Sequence, residues 1–402
     1  MDNLNVVLAV DSFKGSASSR RVEELIAEGV RRVCPDCTIS CYPIADGGEG
    51  TVEAIIAALE GRIVRATVQD PLGEKIEASY GLTADGTAII EMASASGITL
   101  IEQTPENALS ASTWGVGDLI RDALNHGARR ILIGLGGSAT SDGGVGMAKA
   151  LGARFLDASG EPIPCGLIGL KTLASIDCSG LDPRIANTEF VLITDVTNPL
   201  NGADGALYTY GPQKGIEPSQ LAELEPWMEA YANLLEEVVG REISNLPGAG
   251  AAGGLGAALA AFCHARIERG IEFVLDTIGL SQAMEGADLV ITGEGRMDAQ
   301  SANGKAPVGV ARRARERGVP VVAIVGSRAE DLDGIYDEGI DLVIPLALEP
   351  VTLDECIART EVLVPLAGEN AMRAFLLGRA GGALDESIGS LDSRAAAASV
   401  AA

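Results

Sequence analysis

RRILIGLGGSATSDGGVGMAK, residues Arg129–Lys149, is the stretch from which the rest of the chain is read. Its opening run, Ile131–Leu135, has the length and composition of a buried strand, and its close is a small-residue segment that starts a helix. Between them Gly134, Gly136, Gly137, Gly143, Gly144 and Gly146 interleave with Ser138, Thr140, Ser141 and Asp142. Glycine admits positive φ and lets a ligand approach the backbone, so successive N–H groups can converge on an anion. The hydroxyls add donors, the following helix start adds partial positive charge, and the carboxylate can hold a cation or take a proton. A lone Gly-rich turn is more often a packing device between strand and helix. The polar residues threaded through this one favour phosphate with Mg²⁺, with Gly136, Gly137 and Ser138 as the cradle.

Around this stretch lie 402 residues, enough for two domains with separate cores. With 50 glycines and only 3% aromatic residues, those cores must be aliphatic and alanine-rich, with many tight turns, as in α/β proteins. A net charge of −26 argues against nucleic acid or an anionic membrane as partner, since both need a positive face. An anionic substrate must then be held by a few local cations, backbone N–H groups and a metal. No apolar run reaches the length of a membrane span, and the opening MDNLNVVLAVDSF lacks a basic region and a cleavage site, so a cytoplasmic protein is expected. Seven cysteines fit a reduced compartment. Cys34-Pro-Asp-Cys37 is a C-x-x-C, but it follows a helical stretch instead of opening one, and no second pair completes a zinc site.

The same strand–loop–helix pattern recurs at both ends of the chain. Val6–Val10 is an apolar β run ending in Asp11-Ser12-Phe13-Lys14-Gly15-Ser16, followed by a helix capped at Ser18 or Ser19 and running to about Val33. Thr38–Pro43 is a second strand, Ile44–Thr51 a second Gly-rich turn, and a helix to Leu59 follows. Then the period changes. Arg62–Gln69, Lys75–Leu82 and Thr87–Met92 alternate as an antiparallel meander, and Ala93–Gly97 reads as a small polar loop. The helix Trp114–His126 leads into the organising stretch. Beyond it Glu189–Thr194 is a strand, Asn201–Tyr210 a loop and Ser219–Val239 a long helix. From Asp288 the βα rhythm returns, with strands at Leu289–Thr292, Pro320–Val325 and Asp341–Pro345 and helices at Val308–Arg317 and Thr360–Leu377. Two N-terminal βα units and three C-terminal strands make one parallel sheet. The expected fold is therefore α/β with two domains. A Rossmann-like (flavodoxin-like) domain, split as 1–61 and 287–380, carries an inserted α/β domain, 62–286. Residues 381–402 read as a disordered tail.

Several motifs point to less than they first suggest. Gly248-Ala249-Gly250-Ala251-Ala252-Gly253 is a literal G-x-G-x-x-G, but no strand precedes it, so a dinucleotide site is not expected. A phosphate-facing helix start remains open there, with Gly250 and Gly253 as its glycines. Asn303-Gly304-Lys305-Ala306 fails as a Walker loop, because Ala299 stands where the first glycine belongs and no Ser/Thr follows Lys305. The two histidines, His126 and His264, lie in helical stretches away from the Gly-rich loops. Proton abstraction then falls to a carboxylate, with Asp11, Asp46, Asp142, Asp195 and Glu294 at strand ends or in loops. Lys14, Lys214, Arg296 and Lys305 are the cations of such loops. Phosphoryl transfer is mostly positioning and charge neutralisation, and carboxylate–cation–glycine loops suit it.

DSFKGS (Asp11–Ser16), ADGGEGT (Ala45–Thr51), GLGGSATSDGGVGM (Gly134–Met147), TDVTNPLNG (Thr194–Gly202), GPQKG (Gly211–Gly215), GAGAAGGLG (Gly248–Gly256) and DLVITGEGRMDAQSANGKAP (Asp288–Pro307) together resemble the type-1 glycerate kinases. The likeness runs in register from about residue 5 to 380. It implies an ATP- and Mg²⁺-dependent kinase for D-glycerate, with two α/β domains and an active site in the cleft between them. The expected product is 2-phosphoglycerate, less often 3-phosphoglycerate, and a homodimer is compatible with it. On this reading Lys14, Asp46, Asp142 and Arg296 are the catalytic residues, with Asp46 or Asp142 as base and Asp46 preferred. Gly136, Gly137, Ser138, Lys214, Gly250, Gly253, Glu294 and Lys305 bind ATP, and Asp195 with Asn198 holds the metal. The rivals are a ligand sensor that kept the fold and a kinase for another small hydroxy acid such as tartronate.

Overall fold

The structure, a computed structural model, describes residues 3–45, 48, 50–59, 61–299, 301–303 and 305–399. Among them the strands in chain order are β1 (Asn5–Val10), β2 (Thr38–Cys41), β3 (Arg62–Gln69), β4 (Lys75–Leu82), β5 (Thr87–Glu91), β6 (Arg130–Gly134), β7 (Arg154–Leu156), β8 (Ser175–Asp177), β9 (Glu189–Ile193), β10 (Arg266–Glu268), β11 (Leu289–Met297), β12 (Val321–Arg328) and β13 (Leu342–Pro345). The chain packs as two compact units, Met1–Pro43 with Gly279–Ala402 and Ile44–Ile278. No helix of the described residues is long and apolar enough to cross a membrane.

In the discontinuous unit every strand pair is parallel, in the order β13-β12-β11-β1-β2. Counted within the unit, that order is 2-1-3-4-5, with the chain changing its direction of growth between β1 and β11. Open α/β sheets bind ligands at such a switch point, beyond the C-terminal strand ends. Val6, Leu8, Val10, Leu289, Ile291, Val322 and Ile324 form one core face. Against it pack Val22, Leu25, Ile26 and Val30 of the helix Ser19–Val33 and Val364, Ala367 and Ala371 of the helix Thr360–Ser399. Those two helices touch backbone to backbone, since a Cβ on Gly29 would lie 1.9 Å from the Pro365 carbonyl oxygen.

The continuous unit is built on a mixed sheet, β10-β9-β6-β5-β4-β3. Its pairs from β10 to β5 are parallel, and the meander β5-β4-β3 is antiparallel as the alternating pattern predicts. The helix Trp114–Asn125 covers one face with Val116, Leu119, Ile120 and Ala123. The buried Tyr80 hydroxyl donates to Asp122 at 2.9 Å and lies 3.1 Å from His126 Nδ1, which gives that histidine a packing role.

Some expectations need correction. The helix Thr51–Ala58 belongs to the Ile44–Ile278 unit, so the division falls at 43/44 and 278/279, not at 61/62 and 286/287. The reason is packing. Ile56 and Val52 fill the space that Gly81 of β4 leaves open, and the Val52 N–H donates to Glu91 at 2.9 Å. The last helix runs from Thr360 to Ser399 and so takes in most of the segment expected to be disordered. That segment contains no proline and is rich in alanine, the strongest helix former. Ala93–Ser96 and Ala206–Tyr210, expected as loops, are short helices. β10 is only three residues long and too short to show a period.

Candidate active site

In the continuous unit the loop after β6 is held from several directions. Asp142 is fully buried and its carboxylate accepts from the Thr113 N–H at 2.9 Å, the Thr113 hydroxyl at 3.0 Å and the Gly144 and Gly146 N–H groups at 3.0 Å each. Burial raises its pKa, and those hydrogen bonds oppose the rise. The Tyr231 hydroxyl donates to the Gly143 carbonyl at 2.8 Å. The Gly143 N–H donates to the Gly253 carbonyl at 3.0 Å. A Cβ on Gly253 would lie 2.0 Å from the Thr140 oxygen, and one on Gly250 would lie 2.2 Å from the Pro199 oxygen. Gly250 and Gly253 therefore serve close packing of loop on loop, and both are buried. The expected phosphate-facing helix start is instead a left-handed stretch, Ala252 to Gly254, packed against this loop.

Lys214 sits under the same loop with 3% of its surface exposed. Its Nζ donates to the Thr140 carbonyl at 2.6 Å and to Ser138 Oγ at 3.2 Å. Burial pulls its pKa down to about 7, with Asp142 acting in the opposite sense. What the loop leaves open is its tip. Gly137 is exposed at φ +74° and Gly136 is half-buried. The backbone N–H groups of Gly136, Gly137 and Ser138 have no hydrogen-bond partner among the described residues.

Asp195 and Asn198 differ in exposure. Asp195 is exposed, and its Oδ1 accepts the Gly270 N–H at 3.0 Å. Asn198 donates to the Asp204 carbonyl at 2.8 Å and accepts the Tyr210 hydroxyl at 2.7 Å. Its amide is committed to its own loop, which does not suit a metal ligand, whereas an exposed carboxylate does. Among the described residues no cluster of three or more His, Cys, Asp or Glu side chains forms a metal cage.

The discontinuous unit presents its own groups at the β1/β11 switch point. The Asp11 N–H donates to the Gly293 carbonyl at 2.9 Å, tying the ends of the two strands. The turn closes with the Phe13 N–H on the Ala17 carbonyl at 2.9 Å, leaving Lys14 and Gly15 exposed at its tip. Their N–H groups have no partner among the described residues. On β11, Glu294 is buried and its Oε2 lies 3.8 Å from Lys305 Nζ at the start of the helix Ala306–Arg315. Arg296 projects outward, with Nε 3.6 Å from Asp298. Asp46 lies outside the described residues.

A profile of the glycerate kinase family matches residues 6–376. The chain belongs to the glycerate kinase family. Among its relatives, a glycerate kinase of Halalkalibacterium halodurans is 45% identical over 366 residues, covering 91% of this chain and 96% of the relative. A glycerate 2-kinase of Escherichia coli K12 is 44% identical over 376 residues, covering 93% and 99%. A crystal structure from Salmonella typhimurium LT2, assigned provisionally to glycerate kinase 2, superposes with TM-score 0.83 at 44% identity and covers 94% of this chain and 100% of that one.

Within this glycerate kinase family chain, motif reading missed two residues of the loop ends. Thr113 binds the Asp142 carboxylate with both its N–H and its hydroxyl. Glu23, fully buried, accepts the Val10 N–H at 3.1 Å just where β1 ends. Its position on the apolar stripe of the helix Ser19–Val33, between Ser19 and Ile26, was a legible signal.

Proposed function

We propose that this chain transfers the γ-phosphoryl group of ATP to the 2-hydroxyl of D-glycerate, giving 2-phosphoglycerate. The observation that carries the reading is the run of three unpartnered N–H donors at Gly136–Ser138, with the Lys214 amine buried beneath it. Such a cradle suits a phosphate, and phosphoryl transfer depends mainly on positioning and charge compensation. In the other unit, Lys14 with the N–H groups of Lys14 and Gly15 stands at the switch point, where it can neutralise an anionic group. Lys305, steadied by Glu294, and the outward Arg296 take the remaining anionic groups. A bound Mg²⁺ would offset the charge of the phosphate groups. Asp195 is the residue proposed to face it, without Asn198. Asp142 has its oxygens occupied and acts as the brace of the loop, which leaves Asp46 as the proposed base. The proposed setting is the cytoplasm, where ATP is supplied.

The test is ADP release with ATP, Mg²⁺ and D-glycerate, with enolase added and phosphoglycerate mutase withheld. Direct formation of an enol phosphate identifies the 2-phosphate. ADP release without it points to the 3-phosphate, and no ADP above the glycerate-free control refutes the activity. Turnover of tartronate in preference to glycerate would reassign the substrate.

A further inference from the structure

The Gly136–Ser138 loop has a cation buried beneath it. Lys214 is 3% exposed, and its Nζ is spent on the Thr140 carbonyl at 2.6 Å and Ser138 Oγ at 3.2 Å. The three N–H groups that point to an anion belong to the same short segment that this side chain underlies. We propose that Lys214 is a positioning residue, which fixes the loop through Ser138 and Thr140 and supplies positive potential from beneath without touching the bound anion. This rests on the reading of the loop as an anion cradle.

The chemistry of the side chain supports the assignment. An ammonium has three donors, and only two acceptors meet it among the described residues, an arrangement that a neutral amine satisfies in full. Burial already draws the pKa of Lys214 to about 7. The charged group facing it is Asp142, which favours the ammonium. Tyr231 of the helix Leu221–Val239, whose hydroxyl bonds this loop, is held well above its ordinary range by burial and stays neutral. Raising the pH through neutrality therefore keeps both hydrogen bonds and removes the charge. A bound anion and the Lys214 proton must then favour each other, by linkage. The predicted signature is anion affinity that weakens as pH rises while the fold persists.

Sulfate is a suitable probe because it stays a dianion from pH 6 to 9. Its inhibition constant against ATP is measured across that range for the intact protein, for Lys214→Met and for Ser138→Ala. The wild type should lose about tenfold in sulfate affinity between pH 6 and 9, the factor that corresponds to a rise of about one unit in the Lys214 pKa on binding. Lys214→Met should bind sulfate weakly with no pH slope. Ser138→Ala keeps the ammonium and the Thr140 contact, so its slope should match the wild type. A flat wild-type profile, an unchanged slope in Lys214→Met, or no sulfate inhibition at any pH each overturns the proposal. If Lys214→Met fails to fold, the wild-type and Ser138→Ala slopes still decide. Inhibition competitive with D-glycerate instead of ATP would refute the nucleotide reading of the loop and leave the role of Lys214 standing.

Discussion

Replacing Gly253 with alanine tests how the two Gly-rich loops are joined. At φ +67° an alanine pays about 1–2 kcal/mol for the left-handed backbone. Its methyl would lie 2.0 Å from the Thr140 carbonyl oxygen and 2.6 Å from Ser141 Cα, both backbone atoms that no rotamer change can move aside. Overpacking of this kind typically adds about 1–3 kcal/mol, for a total of roughly 2–5 kcal/mol. Gly240→Ala is the control. Its φ is +70° and nothing lies within 4 Å of the new methyl, so it pays only the backbone term. Differential scanning calorimetry should therefore place Gly253→Ala several degrees below Gly240→Ala, at about 2–4 °C per kcal/mol for a domain of this size. The displaced Thr140 also carries the loop tip with it, so KM for ATP should rise in Gly253→Ala and not in Gly240→Ala. Equal melting temperatures with equal KM values would refute the backbone contact as the reason for the glycine.

Other perturbations separate charge from architecture. Lys14→Ala should cost at least about a hundredfold in kcat/KM, roughly 2.7 kcal/mol of barrier, and a loss below about fivefold would make it a surface lysine. Glu23 is held well above the usual carboxylate range by burial, so its contribution is fully present below the unfolded value and declines as pH rises through the folded one. Glu23→Gln should therefore gain on the wild type in urea unfolding at pH 8 and lose that advantage near pH 4; a constant difference would contradict the assignment. Asp195→Asn should raise the Mg²⁺ needed for half-maximal rate. Asn198→Ala, which strands the Tyr210 hydroxyl, should instead lower stability by about 1–3 kcal/mol with that requirement unchanged.

The parallel sheet was legible because its strands are continuous apolar runs, Val6–Val10 and Leu289–Thr292 among them, bounded by small polar loops. A strand buried on both faces needs no alternation, and the loops at its C-terminal end follow from the βα rule, so Lys14 and the Asp46 loop could be assigned to one sheet edge, whereas Glu294 and Arg296, read as a loop, lie within β11. Glu23 aside, what could not be read was which polar residues face inward. The tie from Lys214 to Ser138 spans 76 residues and that from Thr113 to Asp142 spans 29, and neither leaves a local pattern. The G-x-G-x-x-G at Gly248–Gly253 was ambiguous for a related reason. Small residues permit backbone to approach a phosphate or another backbone, and only the partner tells which.

The first and last helices approach backbone to backbone at Gly29 and Pro365, and β1 meets β11 across 283 residues, as the Asn5 N–H bond to Asp288 records. A ribosome adding about 5–20 residues per second leaves β1 without that neighbour for roughly 15–60 s. Throughout that interval Leu8 and Val10 are apolar residues on an unfinished edge, while Ile44–Ile278 emerges whole and has all its own strands to pair. Vectorial synthesis therefore completes the inserted body first. The newborn N-terminus is left as the part of this chain most in need of a chaperone, and any stop codon before β11 would strand it there.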